Sequence, residues 1–331
     1  MPVRAERPAP WPAASAPGLR AAAIAGLGSA LPERRVSSEE LGRRLGVSAE
    51  WIMKRTGIRS RRYAPAGAQV SELAAAAGRS ALQAAQIDGS QIDALLVATV
   101  GADQITPGVA PAVAHALGSG GAALDVSAAC VGSLAALAHA SAWIECGRAE
   151  RVLVIAAEIL SRFIDFEDRR SAPLFGDGAG AIVLAADAPG AIGPFVFGSD
   201  GARASVLQVT RSRGVLEMDG HETFLQAVAR LSESTTEVLE RAGVSLSEVD
   251  LFVYHQANLR ILQAVGQRLG LEPGKVFVCI DELGNTSAAS LPLALHAAAQ
   301  QGALVAGARV LIGAFGAGLG WGAALLRWGL R

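Results

Sequence analysis

Short apolar runs without polar alternation recur along the chain, and longer Ala-rich stretches with helical periodicity lie between them. Ala94-Leu95-Leu96-Val97-Ala98, Arg151-Val152-Leu153-Val154-Ile155 and Gly178-Ala179-Gly180-Ala181-Ile182-Val183-Leu184 form one set. Leu251-Phe252-Val253-Tyr254, Arg309-Val310-Leu311-Ile312 and Gly322-Ala323-Ala324-Leu325-Leu326 form a second. Such runs predict strands covered on both faces, and residues 71–85, 132–144, 222–242 and 290–300 predict the helices that cover them.

The two sets repeat one another. Ile87-Asp88-Gly89-Ser90-Gln91-Ile92-Asp93 leads into the first run, and Val244-Ser245-Leu246-Ser247-Glu248-Val249-Asp250 leads into its counterpart. Asp93 stands 37 residues before Cys130, and Asp250 stands 35 before Asn285. The spacing predicts an α/β protein of two pseudo-symmetric halves, 19–188 and 189–331, behind a flexible tail at 1–18. In this register Cys130 and Asn285 occupy matching strand-to-helix junctions and His255 follows a strand. Residues at such strand ends gather in a crevice, the usual ligand site of these sheets.

Two apolar stretches have a second reading. Residues 19–31 follow a basic start, as in a signal peptide, but fit a first buried strand better. Residues 310–326 carry no charge and approach the length of a membrane span, yet glycines at 313, 316, 318, 320 and 322 favour strand, glycine loop, strand.

Composition narrows the chemistry. With 51% hydrophobic and 18% charged residues, the 331-residue chain can bury a large core, and its net charge of −1 gives no general attraction to nucleic acid or membrane. Three cysteines (Cys130, Cys146 and Cys279) without C-x-x-C spacing and five scattered histidines argue against a disulfide scaffold or metal site and for a reducing, cytoplasmic setting.

Cys130 closes the run Ala122-Ala123-Leu124-Asp125-Val126-Ser127-Ala128-Ala129-Cys130 and opens a small-residue helix. A thiol there feels the helix dipole, loses its proton more readily and is an effective nucleophile toward thioesters; a small buried hydrophobe fits the same pattern. Cys146, late in a helix, and Cys279, within a predicted strand, read as buried hydrophobes. His255 in Val253-Tyr254-His255-Gln256-Ala257-Asn258 and Asn285 in Gly284-Asn285-Thr286-Ser287 fit a structural histidine and a helix-start residue. Together, though, a neutral imidazole and a carboxamide can donate two hydrogen bonds to one carbonyl oxygen, as an enolate formed by decarboxylation requires. The glycine loop 313–320 lets backbone N–H groups approach a ligand, and Trp51, Arg55, Arg61 and Arg62 fit either a solvated helix end or a platform for an adenine ring and phosphates.

At these residues the chain strongly resembles the β-ketoacyl-acyl-carrier-protein synthase III family of thiolase-like condensing enzymes. The resemblance runs from about residue 21 to 328. It is densest at Trp51-Ile52 with Arg55-Thr56-Gly57-Ile58, at 125–130, at 175–180, at His255-Gln256-Ala257-Asn258-Leu259-Arg260, at 284–290 and at 313–322. It implies a five-layer αβαβα thiolase fold, a homodimer and ping-pong chemistry with acyl-CoA as a substrate and no tightly bound cofactor. Cys130 takes the acyl group, with its own N–H and that of Ala317 as oxyanion hole, and His255 and Asn285 promote decarboxylation of malonyl-acyl-carrier protein. The resemblance also implies coenzyme A contacts at Trp51, Arg55, Thr56, Arg169, His221 and Asn258, a carrier-protein contact at Arg260, and an acyl pocket at Thr106, Ser133, Phe175, Phe315 and Leu319.

Some positions depart from the family's short-chain members. Thr106, Ser133 and Leu319 stand where Phe is frequent, which implies a wider cavity and a primer longer or more branched than acetyl. His221 replaces an Asn, Ala317 replaces a Gly, and the loop at 212–215 is short. An acyltransferase that forms no carbon–carbon bond is the rival of the same fold, but it has no use for His255 and Asn285. A papain-like cysteine hydrolase lacks support because the Cys-Gly-Ser/Ala-Cys-Trp/Tyr pattern is absent.

Overall fold

A computed structural model describes residues 20–330; the tail expected at 1–18 lies outside the described residues. The first sheet has the order β1-β7-β6-β4-β5, formed by β1 (Ala23–Ala30), β7 (Gly178–Ala185), β6 (Arg151–Glu158), β4 (Ala94–Ala98) and β5 (Ala122–Val126). The second has the order β8-β13-β12-β11, formed by β8 (Ala191–Ser199), β13 (Gly320–Arg327), β12 (Arg309–Gly316) and β11 (Leu251–Tyr254). Strand senses match along both sheets: antiparallel for the first two pairs, then parallel. Even the junctions repeat. Asp93 Oδ2 accepts from the N–H of Arg151 at 2.9 Å, and Asp250 Oδ2 from that of Arg309 at 2.8 Å.

Side-chain alternation makes the layers. Val152 and Val154 of β6 face one core while Leu153 and Ile155 face another; Val310 and Ile312 of β12 share the first core, and Leu311 turns to a third. Between the sheets run α5 (Gly132–Glu145) and α9 (Ser290–Gln300), apolar on nearly every side because sheet lies on both sides of them. Outside lie α3 (Val70–Ala85) and α4 (Val109–Leu117) on the first sheet, and α6 (Gly220–Ala242) and α7 (Leu259–Leu269) on the second. The result is five layers, αβαβα. A hairpin of β2 (Arg35–Ser37) and β3 (Ser60–Arg62), the helices α1 (Ser38–Leu45), α2 (Ala49–Thr56) and α8 (Ile280–Leu283), and a second hairpin of β9 (Leu207–Val209) and β10 (Leu216–Met218) complete the chain.

The uncharged stretch at 310–326 is the β12–β13 hairpin, and no helix among the described residues is long and apolar enough to cross a membrane. Three expectations fail. The strand placed around Cys279 is a single bridge, Phe252 to Val276, and Cys279 precedes α8. Cys146 ends α5 exposed rather than buried. β5 is a sheet edge with Leu124 46% exposed, so not every strand is covered on both faces.

Candidate active site

The carboxyl ends of β4, β6, β11 and β12 converge on one cavity of about 1280 Å³, and Cys130, His255 and Asn285 all line it. Cys130 sits in the 3-10 turn Ala129–Val131 that runs straight into α5. Ala129 holds φ 46°, a left-handed conformation costly for a residue with a Cβ, and this bend presents the thiol to the crevice. The second half repeats the bend at the turn Ser287–Ala289 before α9, with Ser287 at φ 49°. The structural counterpart of Cys130 is therefore Ala288, and Asn285 lies three residues earlier, a correction to the register read from spacing.

The β12–β13 hairpin closes over the sulfur. A Cβ at Gly316 would lie 2.7 Å from Cys130 Cβ and 3.1 Å from Sγ, so only glycine allows this approach. Burial pushes the thiol up to about 11; the Ser287 hydroxyl pulls it down, buried Glu158 pushes it further up, and the N–H groups of Cys130 and Ala317 pull it down. Removal from water thus works against the acidity expected of a thiol at a helix start.

His255 follows β11, its N–H donating to Gly313 O at 2.8 Å. Gln256 fixes the loop. Its side chain donates to Tyr254 O and Phe277 O and accepts from the N–H groups of Cys279 and Ile280, so every polar atom is used. The imidazole Nδ1 is buried without a partner, and burial pushes the ring down to about 4. It is neutral at pH 7, and since a buried N–H is rarely left orphaned, its proton belongs on Nε2. Asn285 Oδ1 accepts from Ser287 N–H at 2.9 Å, which leaves the NH₂ for a ligand. Its backbone is clamped on both sides, Asn285 N–H to Leu174 O at 2.8 Å and Gly176 N–H to Asn285 O at 2.9 Å.

Trp51, Arg55, Thr56, Arg169, His221, Asn258 and Arg260 also line the cavity, as do Phe175, Phe315 and Ala317. Arg55 stacks 3.9 Å above the Trp51 ring. The Thr56 hydroxyl is committed to Ile52 O and Ile58 N–H. Asn258 caps α7 through Oδ1 and donates to Arg55 O at 3.1 Å, joining α7 to α2.

Other expected site residues lie elsewhere. Arg61 is fully buried and donates to Val36 O, Ser38 Oγ and Pro173 O, tying the β2–β3 hairpin to the segment that clamps Asn285. Arg62 donates to Pro32 O and Glu33 O. Neither reaches the cavity. Ser133 and Leu319 are fully buried outside its wall: Ser133 faces inward from the first turn of α5, and Leu319 joins the outer core of the second sheet. Thr106 lies on an exposed loop and does not line this chain's cavity. Glu158 and Ser287 escaped the sequence reading. A lone carboxylate at the end of an apolar strand was the available signal for the first.

Burial shifts Glu158 and His255 in ways that oppose each other with pH. Glu158 is raised from 4.5 to about 7, so its folded form binds more protons and stability falls as pH rises through that window. His255 is lowered from 6.5 to about 4, so stability is present above 6.5 and is lost as pH falls toward 4. Urea unfolding at pH 4.5 and 7 should therefore show Glu158→Gln gaining about 2 kcal/mol on the parent as pH rises. His255→Asn should lose ground by a similar amount. Parallel curves would contradict both assignments.

Comparison with known proteins shows the same fold and the family. The family described as 3-oxoacyl-[acyl-carrier-protein] synthase III matches residues 124–201, and its C-terminal counterpart matches 239–328. A β-ketoacyl-[acyl-carrier-protein] synthase III of Erythrobacter litoralis is 46% identical over 93% of this chain and 99% of its own length. The crystal structure of 3-oxoacyl-(acyl carrier protein) synthase III from Pseudomonas aeruginosa superposes with a TM-score of 0.90 at 41% identity, covering 94% of this chain and 99% of that one. The priming β-ketosynthase of the R1128 polyketide pathway superposes at 0.89 with 39% identity, over 97% and 100% of the two chains. Shared fold, near-complete coverage and this level of identity make the chain a member of the 3-oxoacyl-[acyl-carrier-protein] synthase III family.

Proposed function

We propose that the protein condenses an acyl-CoA primer, loaded on Cys130, with malonyl-acyl-carrier protein, giving 3-oxoacyl-acyl-carrier protein, CO₂ and CoA. The observation that carries this reading is one cavity lined by a thiol, a neutral imidazole and a carboxamide whose oxygen is already bonded. In loading, the Cys130 thiol gives its proton to solvent as its sulfur attacks the thioester carbonyl, the N–H groups of Cys130 and Ala317 hold the oxyanion, and CoA leaves as its thiolate and takes a proton from solvent in turn. In condensation, the malonyl carboxylate leaves as CO₂ and its electron pair forms an enolate. His255 Nε2–H and the Asn285 NH₂ bind the enolate oxygen, its carbon attacks the acyl carbonyl, and the Cys130 thiolate is released. These steps need no tightly bound cofactor.

Trp51 and Arg169 frame the adenine, with Arg55 covering one face of the indole. His221 and Asn258 flank the pantetheine arm. Exposed Arg260 at the rim offers a cation to an acidic carrier protein. The cavity of about 1280 Å³ holds the proposed coenzyme A contacts together with the acyl end; a primer longer or more branched than acetyl rests on Thr106, where short-chain members of the family often carry Phe, and the positions of Ser133 and Leu319 do not contribute to that argument. A homodimer is supported by the open edge of β5 and by Ile105, 84% exposed beside Thr106, surfaces that a second copy would cover.

Mixed acyl-CoAs with malonyl-acyl-carrier protein provide the test. We expect CO₂ release, a 3-oxoacyl product by mass and acyl adducts on Cys130 extending beyond acetyl. Adducts without CO₂ would reduce the protein to a plain acyltransferase, and exclusive acetyl loading would defeat the wide primer.

A further inference from the structure

The proposed reaction needs two donors at one oxygen, and one of them has no bond of its own to hold it. His255 Nδ1 is buried without a hydrogen-bond partner among the described residues, and Nε2–H is left for the enolate. The ring is therefore placed by its backbone. Asn285 differs: its side-chain oxygen accepts from Ser287 N–H, and its backbone is clamped to Leu174 and Gly176 of the first half. One oxygen accepts from both groups only where their separation is right, and a misplacement of about 1 Å costs on the order of 10²-fold in rate.

Gln256 links the two. It follows His255 in the chain and is 2% exposed. Its backbone N–H donates to Ser290 Oγ at 2.7 Å. Its Oε1 accepts from Cys279 N–H at 2.9 Å and Ile280 N–H at 3.2 Å, and its Nε2 donates to Tyr254 O at 2.9 Å and Phe277 O at 3.1 Å. Cys279 and Ile280 open α8, the single turn that ends before Gly284, and Ser290 opens α9. Asn285 lies on the chain between them. The residue beside His255 thus holds the segment of Asn285 at both of its ends. Gly284, at φ 69°, donates its N–H to Ile280 O at 2.9 Å, so the turn carries the position of its first residue through to Asn285. Only a carboxamide serves this place, because the side chain meets two carbonyl oxygens on one side and two N–H groups on the other.

We propose that Gln256 is a positioning residue for the condensation step: it sets the separation of His255 Nε2 and the Asn285 NH₂ so that both reach the same enolate oxygen. The inference deepens the condensing reading and rests on it for the identity of the reaction. Primer loading does not use this pair. Cys130 stands on the turn before α5, and Ala317 directly follows β12. Asn258, two residues beyond Gln256, keeps its own bonds to Arg260 N–H and Arg55 O.

Two variants of the full chain test it. Gln256→Met keeps a side chain of similar length and removes its polar atoms, and Ser290→Ala removes one hydroxyl. Each is assayed for acyl transfer to Cys130 at saturating acyl-CoA, by peptide mass, and for CO₂ release from malonyl-acyl-carrier protein. Q256M should load within about twofold of the parent and release CO₂ about 10- to 100-fold more slowly. S290A should also load normally, with CO₂ release down by about threefold or more. Added to Asn285→Ala, either change should lower CO₂ release by no more than about twofold further, because a donor pair already broken cannot be misaligned again. S290A keeps the test decisive should Q256M fold poorly. Equal losses in loading and CO₂ release, or losses that multiply in the double variants, would make Gln256 a general support of the fold and overturn the proposal. A parental rate of CO₂ release in S290A overturns it as well. A parent that loads Cys130 but releases no CO₂ defeats the condensing reading itself, and the proposal falls with it.

Discussion

Cys130→Ala is expected to lower 3-oxoacyl formation by about 10⁴-fold or more, with no acyl adduct anywhere on the chain. No other thiol can replace it. Cys279 is buried before α8 and Cys146 lies exposed at the end of α5; neither lines the cavity. The change should cost little stability. It removes one sulfur atom, and the bend at Ala129, the Gly316 approach and the helix α5 are set by backbone and by neighbours. The informative part is what survives. His255, Asn285 and their supports lie on other elements, so the variant should still release CO₂ from malonyl-acyl-carrier protein, now without a carbon–carbon bond. Mass spectrometry of protein and product, with CO₂ capture, reads both. Undiminished product would remove Cys130 from the reaction, whereas loss of all CO₂ would mean that the acyl-enzyme must form before His255 and Asn285 can act.

Much of the frame was legible because burial on both faces leaves a plain mark in sequence. β4 and β11 lie at Ala94–Ala98 and Leu251–Tyr254, the ranges of their apolar runs, and α9 spans Ser290–Gln300 as its periodicity requires. The repeat was legible down to Asp93 and Asp250, since each carboxylate serves the same backbone junction in its half. What failed were inferences from composition where geometry decides. Arg61 looks like a ligand cation, yet its three partners, Val36, Ser38 and Pro173, come from parts of the chain that only folding brings together. The thiol at a helix start looks acidic, but the β12–β13 hairpin that excludes water from it lies almost two hundred residues away in the chain. Ser133 and Leu319 look like pocket residues by position along the chain, and the packing of α5 and of the glycine hairpin turns them into the core. The contacts of Glu158 with Thr99 and Ala288 were illegible for the same reason: they join a strand end, a second strand end and a turn of the other half.

Substitution at His255 or Asn285 should divide the reaction where Cys130→Ala does not. In the proposed reaction each group donates to the enolate oxygen and neither bonds to the thiol, so His255→Ala and Asn285→Ala should still load Cys130 at near-parental rates while condensation falls by about 10²–10³-fold. Asn285→Ala has a side effect that must be separated, because Oδ1 holds the Ser287 N–H at 2.9 Å and its loss loosens that bend. Asn285→Asp separates it. The carboxylate still accepts from Ser287 but places negative charge where the enolate forms, so condensation should fall further than in Asn285→Ala if electrostatics decide, and less if the Ser287 bond decides. The double variant His255→Ala/Asn285→Ala should be only slightly worse than either single one, since one donor without the other holds the oxygen poorly. The low position of His255, about 4, adds a sign: the decarboxylation step should not decline between pH 7 and 5 through protonation of this ring, because the neutral imidazole persists across that range. Single-turnover loading followed by peptide mass, set beside CO₂ release, measures the two halves independently. Equal losses in both would mean that His255 and Asn285 shape the cavity and stabilise no enolate.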